Sequence, residues 1–114
     1  MTPTLELRQR LRKLLNELIP AGGSDSDTNF LDTELDEILA EATSIWDAAA
    51  TGWTIKAGLL KGKIERYGVG QESYNLTALK DELEHALTMA QKHSDMAKAS
   101  MGSVILRFTP PEVL

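Results

Sequence analysis

Between Pro3 and Pro20 the apolar residues fall at Leu7, Leu11, Leu14, Leu15, Leu18 and Ile19. Steps of three and four lay one stripe along a helix, and the two prolines set its limits, because proline fits a first turn and cannot continue a backbone ladder. The spacing predicts a helix over 4–18 with Arg8, Arg10, Arg12 and Lys13 on and beside its polar face. The same period returns at Leu35, Ile38, Leu39, Ala42, Trp46, Ala49 and Trp53, and again at Leu76, Leu79, Leu83, Ala86, Leu87, Ala90 and Ala97. A chain patterned this way is all-α: a small bundle of about four helices, one domain in size.

The ends of these stretches are legible too. Asp32 stands where a capping side chain is expected, with Glu34 and Asp36 close to the positive end of a helix dipole. The loop over 21–30 is rich in Gly, Ser, Asp and Asn, residues that favour turns. Glycine is poorly suited to helix interiors, so a bend or break is expected near Gly52, with the helical pattern resuming through Ala57, Leu60 and Ile64. RYGVGQESYN has no sustained period and reads as an irregular loop whose Val69, Gly70, Gln71 and Glu72 are exposed for contacts. The last helix should begin after Asn75 and end near Ala99. Beyond Gly102 the run VILRF, β-branched and aromatic and followed by Pro110 and Pro111, suits an extended arm. The expected division is a helical domain over 1–101 and a C-terminal arm over 102–114.

Composition narrows the function classes. With no cysteine among 114 residues there is no disulfide, thiolate metal site or thiol nucleophile. No apolar run reaches the roughly 18 to 20 residues of a membrane span, and the N-terminus lacks a signal-peptide core, so a soluble intracellular protein is expected. The net charge of -5 is unevenly laid out. Eight acids and no base lie over 21–55, whereas the bases cluster at Arg8, Arg10, Arg12 and Lys13 and at Lys56, Lys61, Lys63 and Arg66. Such a chain is two-sided electrically and poorly suited to gripping DNA through counterion release.

Several motifs invite chemistry and do not sustain it. Asp25, Asp27 and Asn29 alternate like the first half of a calcium loop, but Phe30 stands where a sharp turn needs glycine and Asp36 where a bidentate glutamate belongs. Gly68 and Gly70 lack the third glycine and the strand of a dinucleotide fingerprint. His85 and His93 are too far apart on one helix to share a zinc, and both read as surface or groove residues. Trp46 and Trp53 could form a stacking platform, though core packing is the better reading. Glu34, Glu37 and Glu41 share a helical face with no apolar pocket to raise a pKa. No catalytic residue, cofactor or metal is expected, and an enzyme is the weakest of the readings.

The charge layout suggests another use. A basic face carrying Arg8, Arg12, Lys61, Lys63 and Arg66 can meet an acidic face carrying Asp32, Glu34, Glu37 and Glu41 on the next copy. Unlike faces that mate head to tail generate a ring when the rotation closes.

LRKLLNELIP, the polar loop, FLDTELDEILAEA, AAATGWTIKAGLL, YGVGQESYNL and LTALKDELEHALTMAQK follow one another in an order that resembles the small head-tail connector proteins of tailed bacteriophages, also called adaptors or head-completion proteins. The likeness covers 7–99. Phe30, Leu31 and Leu35 match the entry to that family's second helix, and Val69, Gly70, Glu72 and Leu76 its loop into the last helix. The resemblance implies a helical subunit of a homo-oligomeric ring of about a dozen copies, in the neck of the virion and assembled in the host cytoplasm. Its partners would be further copies of itself, the portal protein, and a tail, tail-terminator or stopper protein, with DNA passing through the lumen without sequence-specific binding. It also implies that the C-terminal segment docks on the portal, here through Val104, Ile105, Leu106, Arg107 and Phe108. The competing expectation is a free helical adaptor or regulatory module that binds one protein partner through the same arm.

Overall fold

The computed structural model describes the backbone of residues 1–67 and 73–108, and the side chains of residues 1–66 and 76–99. Those residues form four α-helices: α1 (Leu5–Leu15), α2 (Asp32–Glu41), α3 (Ile45–Tyr67) and α4 (Ser73–Phe108). There is no strand among them, so the protein is an all-α bundle.

α1 begins where Thr4 accepts a hydrogen bond from the Leu7 amide at 3.1 Å. It ends three residues earlier than the apolar stripe suggests. Asn16 takes the left-handed conformation, φ 58° and ψ 42°, which asparagine tolerates better than most residues, and the Glu17 amide closes the end on the Arg12 carbonyl at 2.8 Å. Leu18 and Ile19, intended by periodicity for the buried stripe, are left 58% and 38% exposed.

The loop over 17–31 contains a 3-10 turn at Asp25–Asp27. α2 follows, but Asp32 is its first helical residue rather than its cap. The backbone turns in at Leu31, whose amide donates to Glu34 Oε1 at 2.8 Å. Asp32 is thereby left to hold α1 instead.

The break expected near Gly52 lies eight to ten residues earlier, over 42–44. There the Asp47 amide donates to Ser44 Oγ at 3.1 Å and the Thr43 amide to Asp47 Oδ2 at 3.0 Å, a reciprocal arrangement that starts α3. α3 then runs straight through Gly52. A Cβ built there would lie 2.5 Å from Leu15 Cδ2, so this glycine lets α1 approach rather than ending a helix.

The core is built mainly from Leu11, Leu15, Phe30, Leu35, Leu39, Ala48, Ala49 and Trp53. Alanines on α3 meet Ala86 and Ala90 of α4, so the two long helices pack closely along an antiparallel pair. Trp46 stacks on His93 and Trp53 meets the edge of His85, which fixes the register of that pair.

The C-terminal segment differs from expectation. Gly102–Phe108 continues α4 instead of forming an extended arm, so residues 102–108 belong to the bundle's longest helix. The physical reason is that lengthening an existing helix avoids nucleation, and the lower helix propensity of Val and Ile amounts to less than about 1 kcal/mol per residue. Residues 109–114 lie outside the described residues.

Candidate functional site

Among the described residues, the densest side-chain network lies where α1, the loop and α2 meet. Arg12 is 3% exposed, and its guanidinium donates to the Glu17 carbonyl, Thr28 Oγ1, the Phe30 carbonyl and Asp32 Oδ1, all within 3.0 Å. One turn away, Arg8 grips Asp36 with two bonds, Nε to Oδ1 at 3.0 Å and an NH2 to Oδ2 at 2.8 Å. Arg8 also lies 3.8 Å from Asp32. The hydrogen bond and charge of Arg8 hold the Asp36 carboxyl below its usual range, and Asp36 raises the Arg8 guanidinium in turn.

A second clamp joins the end of α1 to α3. Glu17 is 8% exposed and pairs with Lys56 Nζ at 2.8 Å. Its other bonds come from the Asn29 amide at 2.8 Å and Asn29 Nδ2 at 3.0 Å. Burial pushes the Glu17 carboxyl up, but the bonds from Lys56 and Asn29 outweigh it and keep the group below its ordinary value. Lys56 also donates to the Leu15 carbonyl at 2.7 Å and sits 4.4 Å above the Trp53 ring, while Trp53 Nε1 donates to the Leu14 carbonyl. Glu17, Lys56 and Trp53 form the floor of a half-open groove of about 590 Å³, walled by Lys63 of α3 and by Asp81, Glu82 and His85 of α4.

Of the residues singled out by charge, Arg8, Arg12, Asp32 and Glu34 are engaged within the protomer. Glu37, Glu41, Lys61, Lys63 and Arg66 are exposed. Glu37 and Glu41 stand on α2, whereas Lys61, Lys63 and Arg66 stand near the far end of α3. Asp25 and Asp27, read as half of a cation loop, turn their carboxylates onto the Asp32 and Ser24 amides. His85 is an exposed groove residue as expected, but His93 is not. It is 4% exposed, stacked 6.0 Å from Trp46, with Nδ1 at 2.9 Å from the Met89 carbonyl, because its position on α4 falls opposite the first turn of α3. Trp53 is core, and Trp46 is half-buried between His93 and Arg10. Val69, Gly70, Gln71 and Glu72 lie outside the described residues, as do the side chains of Val104, Ile105, Leu106, Arg107 and Phe108.

The Glu17–Lys56 clamp was not visible in the sequence. The only signal was Lys56 three places after Trp53, on the same side of a helix. Its partner arrives from 39 residues earlier only once α1 has docked. Compared with protein families, curated proteins and solved structures, the chain finds no match.

Proposed function

We propose that the chain is a structural ring subunit of a bacteriophage head-tail connector, joining the portal to the tail or stopper and leaving a passage for DNA. The observation that carries this reading is the reach of α4. Trp46 stands opposite His93, and Trp53 opposite His85, so the start of α3 lies beside residue 94 or so. The remaining residues of α4, to Phe108, run about 20 Å past it at 1.5 Å per residue. A helix that outruns its partner offers a lever for docking, and this one ends in Val104, Ile105, Leu106, Arg107 and Phe108. Its mode of contact is then a helix laid into a groove of the portal rather than a strand added to a sheet edge.

Ring contacts in this reading use the charges not taken up inside the protomer. Glu37 and Glu41 of one copy meet Lys61, Lys63 and Arg66 of the next, while Arg8, Arg12 and Asp32 shape each copy internally. The acidic balance of -5 disfavours retention of DNA in the lumen. The helix order, with a short α1, a polar loop, an acidic α2 and a long final pair, supports the same reading through the resemblance to connectors.

The test is the mass of the full chain alone and with portal. A ring of about twelve copies on portal is expected, and removing residues 104–114 should abolish that binding while most of the helical circular dichroism remains. A monomer or dimer indifferent to portal overturns the reading and leaves the free adaptor module.

A further inference from the structure

On the outer side of α1, Glu6, Gln9, Arg10 and Lys13 recur every three or four residues and share one face, turned away from the core stripe of Leu7, Leu11 and Leu15. Past the left-handed turn at Asn16 the chain folds back and sets Leu18 and Ile19 against that face. The result is a half-open groove of about 430 Å³ with Arg12 as the buried residue of its lining. The protomer holds its shape. The Glu17 amide donates to the Arg12 carbonyl at 2.8 Å, the Arg12 guanidinium donates back to the Glu17 carbonyl at 3.0 Å, and Pro20 stiffens the chain just beyond.

What the groove presents goes unused inside the protomer. Leu18 is 58% exposed and Ile19 38%, side by side. Arg10 and Lys13 beside them are exposed, and neither has an ion pair among the described residues. Arg12 keeps one donor, Nε, buried with no acceptor among the described residues. Glu6 is the one acid in the lining, against three bases, on a protein whose net charge is -5.

We infer that this groove is a docking site for a short acidic and aliphatic segment of a partner protein, with a carboxylate between Arg10 and Lys13 and a leucine- or isoleucine-type side chain on Leu18 and Ile19. Charge complementarity selects the occupant. Unpaired bases attract a carboxylate and repel a basic segment, and the adjoining aliphatic pair is covered by an apolar side chain. Because the loop is already pinned, little conformational freedom is lost on binding, which favours even a small contact. An anionic membrane offers the same two chemistries, but a protein of net charge -5 is repelled by it, and a concave site fits a side chain better than a lipid surface. The groove shares no residue with the portal arm or with the charges assigned to contacts between copies, so the inference stands apart from the connector reading.

The test follows backbone amide resonances of the isotope-labelled full chain as the peptide Leu-Glu-Asp-Leu-Glu-Leu is added at low salt. Saturable shifts at Gln9, Arg10, Lys13, Leu18 and Ile19 are expected, with a dissociation constant below about 1 mM. The Arg10→Gln, Lys13→Gln double variant and the Leu18→Ser, Ile19→Ser double variant should each bind about tenfold more weakly or worse. All four side chains are exposed, so the helical circular dichroism of both variants should be undiminished, which separates a lost contact from a lost fold. Added salt should weaken binding by the parent chain and leave the residual binding of the Arg10→Gln, Lys13→Gln variant nearly unchanged. No shift up to about 5 mM peptide, shifts centred elsewhere, or equal affinity for Leu-Lys-Lys-Leu-Lys-Leu overturns the inference. So does either double variant binding as the parent does. Binding to phosphatidylserine vesicles with none to the acidic peptide overturns it in favour of a membrane surface.

Discussion

From Met1 to Ser44 the helices are short, 11 and 10 residues, and long polar side chains tie them across the loop between. From Ile45 to Phe108 the helices run 23 and 36 residues and, among the described residues, pack through Ala, Trp and Leu. Helices as short as α1 and α2 are marginal by themselves in water, so the first region depends on contacts distant in sequence. The long pair carries much of its order in its own ladder and in a simple antiparallel seam. One region is held by a few irreplaceable side chains, the other by many replaceable ones.

That contrast can be broken first at Arg12. Arg12→Ala removes the donor to two backbone carbonyls, Thr28 and Asp32 at once. It should lower unfolding stability by about 4 kcal/mol, read from denaturant curves. If the loss is under about 1 kcal/mol, the guanidinium does not hold the region together. Glu17→Ala comes next, at about 3 kcal/mol, because it leaves Lys56, whose side chain is only 14% exposed, without its counter-charge.

The same clamps fix the response to acid. Glu17 and Asp36 both titrate below their ordinary values in the folded protein. Their contribution is therefore complete above the unfolded pKa, about 4, and is lost as pH falls through the folded values. Thermal midpoints should be flat from neutral pH to about 5 and fall below about 4. Glu17→Ala should make that fall shallower, and an unchanged slope would show that the clamp does not govern it.

The smaller effects lie in α3 and sharpen the comparison. Gly52→Ala should destabilise by about 2 kcal/mol by forcing Leu15 from its place. Gly58→Ala, in open space, should instead stabilise an isolated protomer by up to about 1 kcal/mol. Opposite signs for the same chemical change in one helix, read as shifts in thermal midpoint at a concentration where the chain is monomeric, would show that proximity rather than helix propensity decides the first. Two losses of equal size would remove that distinction.

Much of this was legible locally. The Leu7 to Leu15 stripe became a face packed on the core, as did Leu83, Ala86 and Ala90 of the later stripe, because a period near 3.6 has few other solutions, while Leu87 was left 53% exposed. The misread boundaries share one cause, a choice between nearby signals. Gly52 looked like the stronger breaker, yet Thr43 and Ser44, with Asp47 in reach, made the actual stop. Gly102 and the VILRF run looked extended by propensity, but nothing before Pro110 forbids the helix to continue. The candidate surface was less legible. Arg8 and Arg12 were read as charges for a neighbour, and only the fold reveals that Asp32 and Asp36 of the same chain reach them first.

The sequence by itself determined the class of fold, because apolar spacing and capping residues act over a turn or two and are written contiguously. Tertiary structure decided which charges are consumed within the protomer, which glycine is a contact and which are open, and that His93 is inside. Those outcomes depend on distances between residues 20 to 47 positions apart. No local period encodes such distances, and they come into being only when α3 and α4 pair and α1 and α2 settle on them.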